Sequence, residues 1–108
     1  MNTEAIFSEI RNKYSDEYYS TENSILVHGD SLELLKKLPD HSIALILTDP
    51  PYHSTKKRNI IGDTNFSKDS EYIEWMRKYA IEWKRVLKHN GSIFCFCSSF
   101  EVILYLLT

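Results

Sequence analysis

The feature that most constrains this chain is an apolar run that ends abruptly at two prolines. Residues 43–47 are apolar at every position, and Thr48-Asp49-Pro50-Pro51-Tyr52 follows them. A strand without polar alternation is typical of a parallel sheet covered by helices on both faces. Prolines lack a backbone donor, so the strand must stop there and continue as a rigid loop. The pattern places Asp49 at the carboxyl end of a buried strand.

Upstream of that strand, the periodicity predicts helix, strand and helix. Residues 3–14 carry apolar side chains at helical spacing, and residues 25–27 are a short apolar run that ends at Gly29-Asp30. A leucine-rich helix follows over residues 31–38, where Asp30 and Glu33 have the spacing of a capping box and Pro39 is the stop.

Downstream, residues 53–70 form a long polar loop, and residues 71–88 carry a helical apolar stripe. We expect Asp69 or Ser70 to cap this helix, Asn90-Gly91 to end it, and Trp75 and Trp83 to belong to the core. Residues 92–98 then predict a third buried strand, and another apolar run covers residues 102–107.

Strands separated by helices favour an α/β fold, part of a doubly wound and mostly parallel sheet. Ligands of such sheets bind at the carboxyl ends of the strands. Asp30, Asp49 and Ser98 all fall at those ends, which makes this edge of the sheet the expected site.

Composition limits the other classes of protein. At 108 residues the chain is one domain or part of one, and its net charge of −2 provides no general attraction for nucleic acid. No basic leader or apolar stretch of about 18 residues is present, which favours a cytoplasmic protein outside the membrane. Cys95 and Cys97 are expected to be buried thiols, because the sequence offers no further ligands to complete a metal site.

The segment from Leu45 to Tyr52 resembles the catalytic motif of DNA methyltransferases that modify exocyclic amino groups, the N6/N4 family. Similar features flank it: Gly29-Asp30-Ser31 and the leucine-rich helix before it, and Arg85-Val86-Leu87-Lys88 after it. His89-Asn90 departs from the family's usual Pro-Gly. The resemblance implies a Rossmann-like, S-adenosylmethionine-dependent methyltransferase fold and, because Asp stands first in the motif, adenine as the target.

The chemistry of these residue types fits that activity. The adenine amino nitrogen is a poor nucleophile, and hydrogen-bond acceptors such as the Asp49 carboxylate and a carbonyl of Pro50 or Pro51 would localise its lone pair. Tyr52 offers a face for stacking, and a base in double-stranded DNA must be flipped out to reach it. The structural alternative is a turn in which the prolines end a strand and Asp49 caps whatever follows.

Two further groups have both a functional and a structural interpretation. Asp30 at a strand end would bind the ribose or the adenine of S-adenosylmethionine, or it simply caps the following helix. Lys56, Lys57 and Arg58 would bind DNA phosphates beside the flipped base, or they are a solvated loop cluster.

The chain has only three glycines and no Gly-x-Gly pair to hold the methyl donor. The resemblance therefore implies the family's permuted order, in which residues 1–108 are the N-terminal part of the catalytic domain. We expect the donor-binding loop and the target-recognition region in a missing C-terminal half or a second chain. Two alternatives stay open: a non-enzymatic remnant that binds nucleic acid or a partner, and an RNA methyltransferase acting on a guanine amine.

Overall fold

A computed structural model describes residues 3–14, 19–51 and 68–97. The chain begins with α1 (Thr3–Lys13), the two short strands β1 (Tyr19–Ser20) and β2 (Ile25–Leu26), and α2 (Ser31–Lys36). It continues with β3 (Ile43–Thr48), α3 (Asp69–Val86) and β4 (Leu87–Cys95). In these ranges, no helix is both long and apolar enough to cross a bilayer.

The parallel part of the sheet is formed by β3 and β4. Their pairing runs from Ile43 beside Leu87 to Thr48 beside Cys95. Ile43 pairs with Leu87 and Leu45 pairs with Ser92, so a step of two residues along β3 matches a step of five along β4. The extra residues form a bulge near the start of β4. Gly91 lies in the bulge, where an added Cβ would be 2.9 Å from the Leu87 Cδ2 atom and 3.2 Å from the Ala44 carbonyl oxygen.

The first predicted strand lies elsewhere. Only Ile25 and Leu26 are extended, and they pair antiparallel with β1 rather than with β3. The prediction of three strands in one parallel sheet was therefore wrong for the described residues: the parallel sheet has two strands. A strand of two residues can pair within a local hairpin, and apolar content does not distinguish such a hairpin from a strand of the parallel sheet.

The bounds of α3 and β4 also differ from the prediction. Lys68, not Asp69 or Ser70, occupies the N-cap position, and it makes no side-chain capping bond. The helix ends at Val86, so Asn90-Gly91 lies inside β4 instead of stopping the helix. Leu87 and Lys88, which the helical stripe assigned to α3, belong to β4 because this strand pairs with β3. Tertiary contacts override local propensity here.

Helices α2 and α3 are joined by Arg85. Its guanidinium donates to the carbonyls of Leu38 (2.7 Å) and Leu35 (3.0 Å) and forms ion pairs with Glu82 (2.6 Å) and Asp40 (2.7 Å). The hydrogen bonds to Glu82 and then Asp40 raise the pKa of Arg85 above its usual value. The Leu35 carbonyl, in the last turn of α2, also accepts from the Leu38 amide at 3.0 Å, so Arg85 adds a charged donor there, and the Leu38 carbonyl lies just beyond the helix.

The turn between α2 and β3 is fixed against the end of α3. His41 adopts a left-handed backbone (φ 52°), its Nδ1 donates to the Leu87 carbonyl at 2.9 Å, and its ring stacks on His89. The Ser42 amide donates to the Val86 carbonyl at 2.8 Å. This turn sets where β3 starts and therefore where its carboxyl end lies.

Helices cover only one face of the described sheet. Leu45, Leu47, Phe94 and Phe96 alternate along the adjoining strands and share the opposite face. All four are exposed, with Leu47 at 67% and Phe94 at 61%. The expectation that helices cover both faces is therefore not met within residues 3–14, 19–51 and 68–97.

Candidate active site

The Asp49-Pro50-Pro51 segment leaves the sheet at the carboxyl end of β3, as the sequence predicts. Thr48 is the last residue of the strand, and its carbonyl accepts a hydrogen bond from the Phe96 amide at 3.0 Å. Asp49 is exposed, and the two prolines that follow it are half-buried. Because neither proline can donate to a neighbouring strand, pairing ends here and the Asp49 side chain lies at the edge of the sheet.

A pocket of about 460 Å³ opens beside this segment. Its wall is formed by the end of β3, by Asp49, Pro50 and Pro51, and by side chains from the helices that cover the sheet. Those from α2 and α3 are Ser31, Leu35, Trp75, Met76, Tyr79 and Trp83. The pocket therefore combines one carboxylate with a largely apolar, aromatic lining, as small-molecule sites commonly do.

The aromatic wall comes from one stripe of α3. The rings of Trp75 and Tyr79 meet edge to face with centroids 5.1 Å apart, and those of Tyr79 and Trp83 lie 6.1 Å apart. The tryptophans pack against the buried pair Tyr72 and Met76, so the core assignment of Trp75 and Trp83 holds on their inner side. That both tryptophans also face a pocket was not predicted from the sequence. Spacing of four residues marks one helical face but does not distinguish a core from a cleft.

The loop is tied to α3 as well as to the sheet. The hydroxyl of Tyr72 donates to the Pro51 carbonyl at 3.0 Å. Tyr72 is fully buried beneath the aromatic wall, so this bond links the core directly to the edge of the pocket.

Asp30 takes the structural role that the sequence analysis allowed. Its Oδ1 accepts from the Leu32 amide at 2.9 Å, which makes it the N-cap of α2. Glu33 forms an ion pair with Lys36 at 3.2 Å. Ser31, the next residue after Asp30, lines the pocket and lies 3.5 Å from the Tyr79 hydroxyl. Asp30 therefore lies next to the pocket but after the antiparallel strand β2, not at the edge of the parallel sheet.

The other predicted site residues cannot be placed in this way. Tyr52 and the basic cluster Lys56, Lys57 and Arg58 lie outside the described residues, as do Ser98 and the apolar run 102–107. Cys95 and Cys97 are thiols, and both are half-buried rather than buried as predicted. Within the described ranges, no three histidine, cysteine or acidic side chains are grouped to hold a metal ion.

Comparison with known proteins agrees with this geometry. A family model described as a DNA methylase of the N6/N4 type matches residues 43–106, which is more than half of the chain. The match includes β3, the Asp49-Pro50-Pro51 segment, α3 and β4. The chain therefore belongs to the N6/N4 DNA methyltransferase family, and its mixed helices and parallel strand pair are compatible with a methyltransferase fold.

Three curated relatives have similar identity to this chain. They are the type II methyltransferase M.BamHI of Bacillus amyloliquefaciens, the DNA adenine methyltransferase YhdJ of Escherichia coli strain K12 and the type II methyltransferase M.PvuII of Proteus hauseri, each 38% identical. The matches cover 73%, 70% and 68% of this chain. They cover only 18%, 25% and 21% of the respective relatives, so the chain spans a quarter of their length or less.

Proposed function

We propose that this chain carries the catalytic loop of a DNA methyltransferase, which transfers a methyl group from S-adenosylmethionine to the exocyclic amino group of a flipped adenine. The observation that carries the proposal is the position of Asp49 and two prolines on the rim of an aromatic pocket. Membership of the N6/N4 family supports it, as does the activity for which the adenine methyltransferase relative is named.

The pocket fits a planar base that presents an amino group. Aromatic side chains stack on bases of any type, and Trp75 and Tyr79 supply such surfaces. The carboxylate of Asp49 accepts one amino proton, and a proline carbonyl accepts the other, so electron density concentrates on nitrogen. These acceptors are preorganised because the strand fixes one side of the loop and the prolines restrict the other.

S-adenosylmethionine, when bound, supplies an activated methyl group on sulfur. The described residues fit only part of such a donor, since Asp30 beside the pocket offers a carboxylate for a hydroxyl or amine and already caps α2. We propose that Asp30 takes both roles, one with each carboxylate oxygen. Tyr52 would stack on the flipped base, and Lys56, Lys57 and Arg58 would bind adjacent phosphates.

Both tryptophans of the chain line the pocket, so their fluorescence reports binding there. We expect S-adenosylmethionine or a duplex with a mismatched adenine to change that emission. Methyl transfer by the purified chain is measured separately, with unmethylated DNA as the substrate. Asp49→Ala should lower any transfer by about 100-fold or more while preserving the donor-induced change. Glu74→Ala, on the exposed side of α3, is the control and should match wild type.

Two results would contradict the proposal. One is methyl transfer by Asp49→Ala at the wild-type rate. The other is tryptophan emission that responds to neither the donor nor the adenine duplex in a chain that circular dichroism shows to be folded.

One observation favours a second candidate function, binding of a partner without catalysis. Leu45, Leu47, Phe94 and Phe96 form an exposed apolar face, and contiguous exposed apolar surface is typical of a site of association with another polypeptide region. In the methyltransferase proposal, a donor-binding region within the same or a second chain covers it. Self-association in sedimentation experiments, combined with no response to S-adenosylmethionine, would favour the second candidate.

A further inference from the structure

Among the described residues, a fully buried tyrosine is hydrogen-bonded to the candidate catalytic loop. Tyr72 is 0% exposed, its ring packs with Met76 in the core, and its hydroxyl donates to the Pro51 carbonyl at 3.0 Å. Phenylalanine would fill the same apolar space without a hydroxyl that must find a partner. The hydroxyl is therefore informative, because its described partner is a backbone oxygen of the loop.

The bond reaches the loop at two prolines, which limit the backbone groups that can be hydrogen-bonded. Upstream of Asp49, strand pairing fixes the backbone through the Thr48 carbonyl. Downstream, neither Pro50 nor Pro51 has an amide hydrogen, so a carbonyl is the backbone atom through which each can be hydrogen-bonded. The Tyr72 hydroxyl uses the Pro51 carbonyl, and it does so from a helix whose next turn lines the pocket.

We propose that Tyr72 is a positioning residue that fixes the downstream end of the Asp49-Pro50-Pro51 segment and so holds the Asp49 carboxylate at the pocket rim. The proposal rests on the function proposed for that segment. Tyr72 touches no substrate in this account. It acts through the backbone, and small displacements of a catalytic group have large effects on rate.

Tyr72→Phe tests the bond while retaining the packed ring. Tyr14→Phe is a matched control, because Tyr14 is also buried (7% exposed) and donates to a backbone carbonyl, that of Leu34. Pro51-Tyr52 is the sole Pro-Tyr pair in the sequence, so carbonyl-labelled proline with nitrogen-labelled tyrosine gives one correlation peak in an NMR spectrum. We expect Tyr72→Phe to move this carbonyl signal upfield and to lower the order parameter of the Asp49 amide, and Tyr14→Phe to change neither.

The same variants are then assayed for methyl transfer. Tyr72→Phe should lower kcat by about tenfold with the KM for the donor within about twofold, and Tyr14→Phe should leave both unchanged. An unmoved Pro51 carbonyl signal, an unchanged Asp49 amide, or equal effects of the two variants would overturn the proposal. If the wild-type chain transfers no methyl group, the function of the isolated chain fails, whereas the two NMR readouts still decide the role of Tyr72.

Discussion

Removing Arg85 should destabilise the chain far more than removing another arginine of the same helix. Its guanidinium holds two carbonyls at the end of α2, those of Leu35 and Leu38, and pairs with Asp40 and Glu82. Arg85→Ala leaves both carbonyls without this donor at the junction of the helices. It also removes a charged side-chain link between the two helices that line the pocket.

The magnitude follows from these contacts. A hydrogen bond to a charged group contributes about 1.5 kcal/mol at the lower end of its range, and partial exposure of the site favours that end. Two such bonds give about 3 kcal/mol, and the ion pairs, which involve exposed partners, add about 0.5 kcal/mol. A loss of about 3.5 kcal/mol is a large part of the stability expected for a chain of this size. It lowers the urea midpoint by about 2 M when the m-value is about 1.5 kcal/mol/M.

Urea unfolding followed by circular dichroism measures this loss. Arg77→Ala is the control, because its ion pair with Glu74 is long (4.0 Å) and exposed, and its removal should cost about 0.3 kcal/mol. Arg85→Lys should fall between the two, since an ammonium keeps the charge but lacks the planar fork that reaches several acceptors. If Arg85→Ala and Arg77→Ala unfold at the same urea concentration, the helix-joining role of Arg85 is refuted.

Two further predictions concern Gly91 in β4 and Tyr14, the residue that follows α1. Gly91→Ala places a Cβ within 3.2 Å of three atoms at the bulge and should cost about 2 kcal/mol of unfolding free energy. Gly29→Ala, whose added Cβ would have its nearest neighbour 3.5 Å away, should be tolerated. Comparable urea midpoints for the two variants would contradict the crowding argument. Burial raises the pKa of Tyr14 above its usual value of 10.0, an effect that the charge of Arg85 partly opposes, so the unfolded chain ionises first and stability is lost as pH rises above about 10. The stability of Tyr14→Phe should fall less than that of wild type as pH rises above about 10, and identical pH profiles would argue against this linkage.

The local sequence pattern was sufficient to predict those helices and strands that are determined by residues close together in the chain. The apolar stripe predicted α3 to within two residues at each end, and the apolar run ended by two prolines predicted β3 and the position of Asp49 at its carboxyl end. Both predictions succeed because helical periodicity and the missing proline donor are properties of the chain itself.

Pairing partners were not predictable in the same way. The apolar residues Ile25 and Leu26 suit a parallel sheet and a hairpin equally, and only packing assigned them to the hairpin. Likewise, apolar content predicted that Leu47 and Phe94 lie in strands. Only the tertiary structure showed that the described helices cover the other face of the sheet and leave these two side chains exposed. An apolar side chain records a preference for burial without specifying what buries it.

By itself, the sequence determined the family, the candidate catalytic segment and the helices and strands around it. The tertiary structure alone decided that Trp75 and Trp83 line a pocket with Asp49, and that Tyr72 and Arg85 hold distant backbone carbonyls. The physical reason is that every residue has a carbonyl, so a bond to one leaves no side-chain signature at the accepting position. Such contacts appear only when folding brings residues 21 or 47 positions apart together.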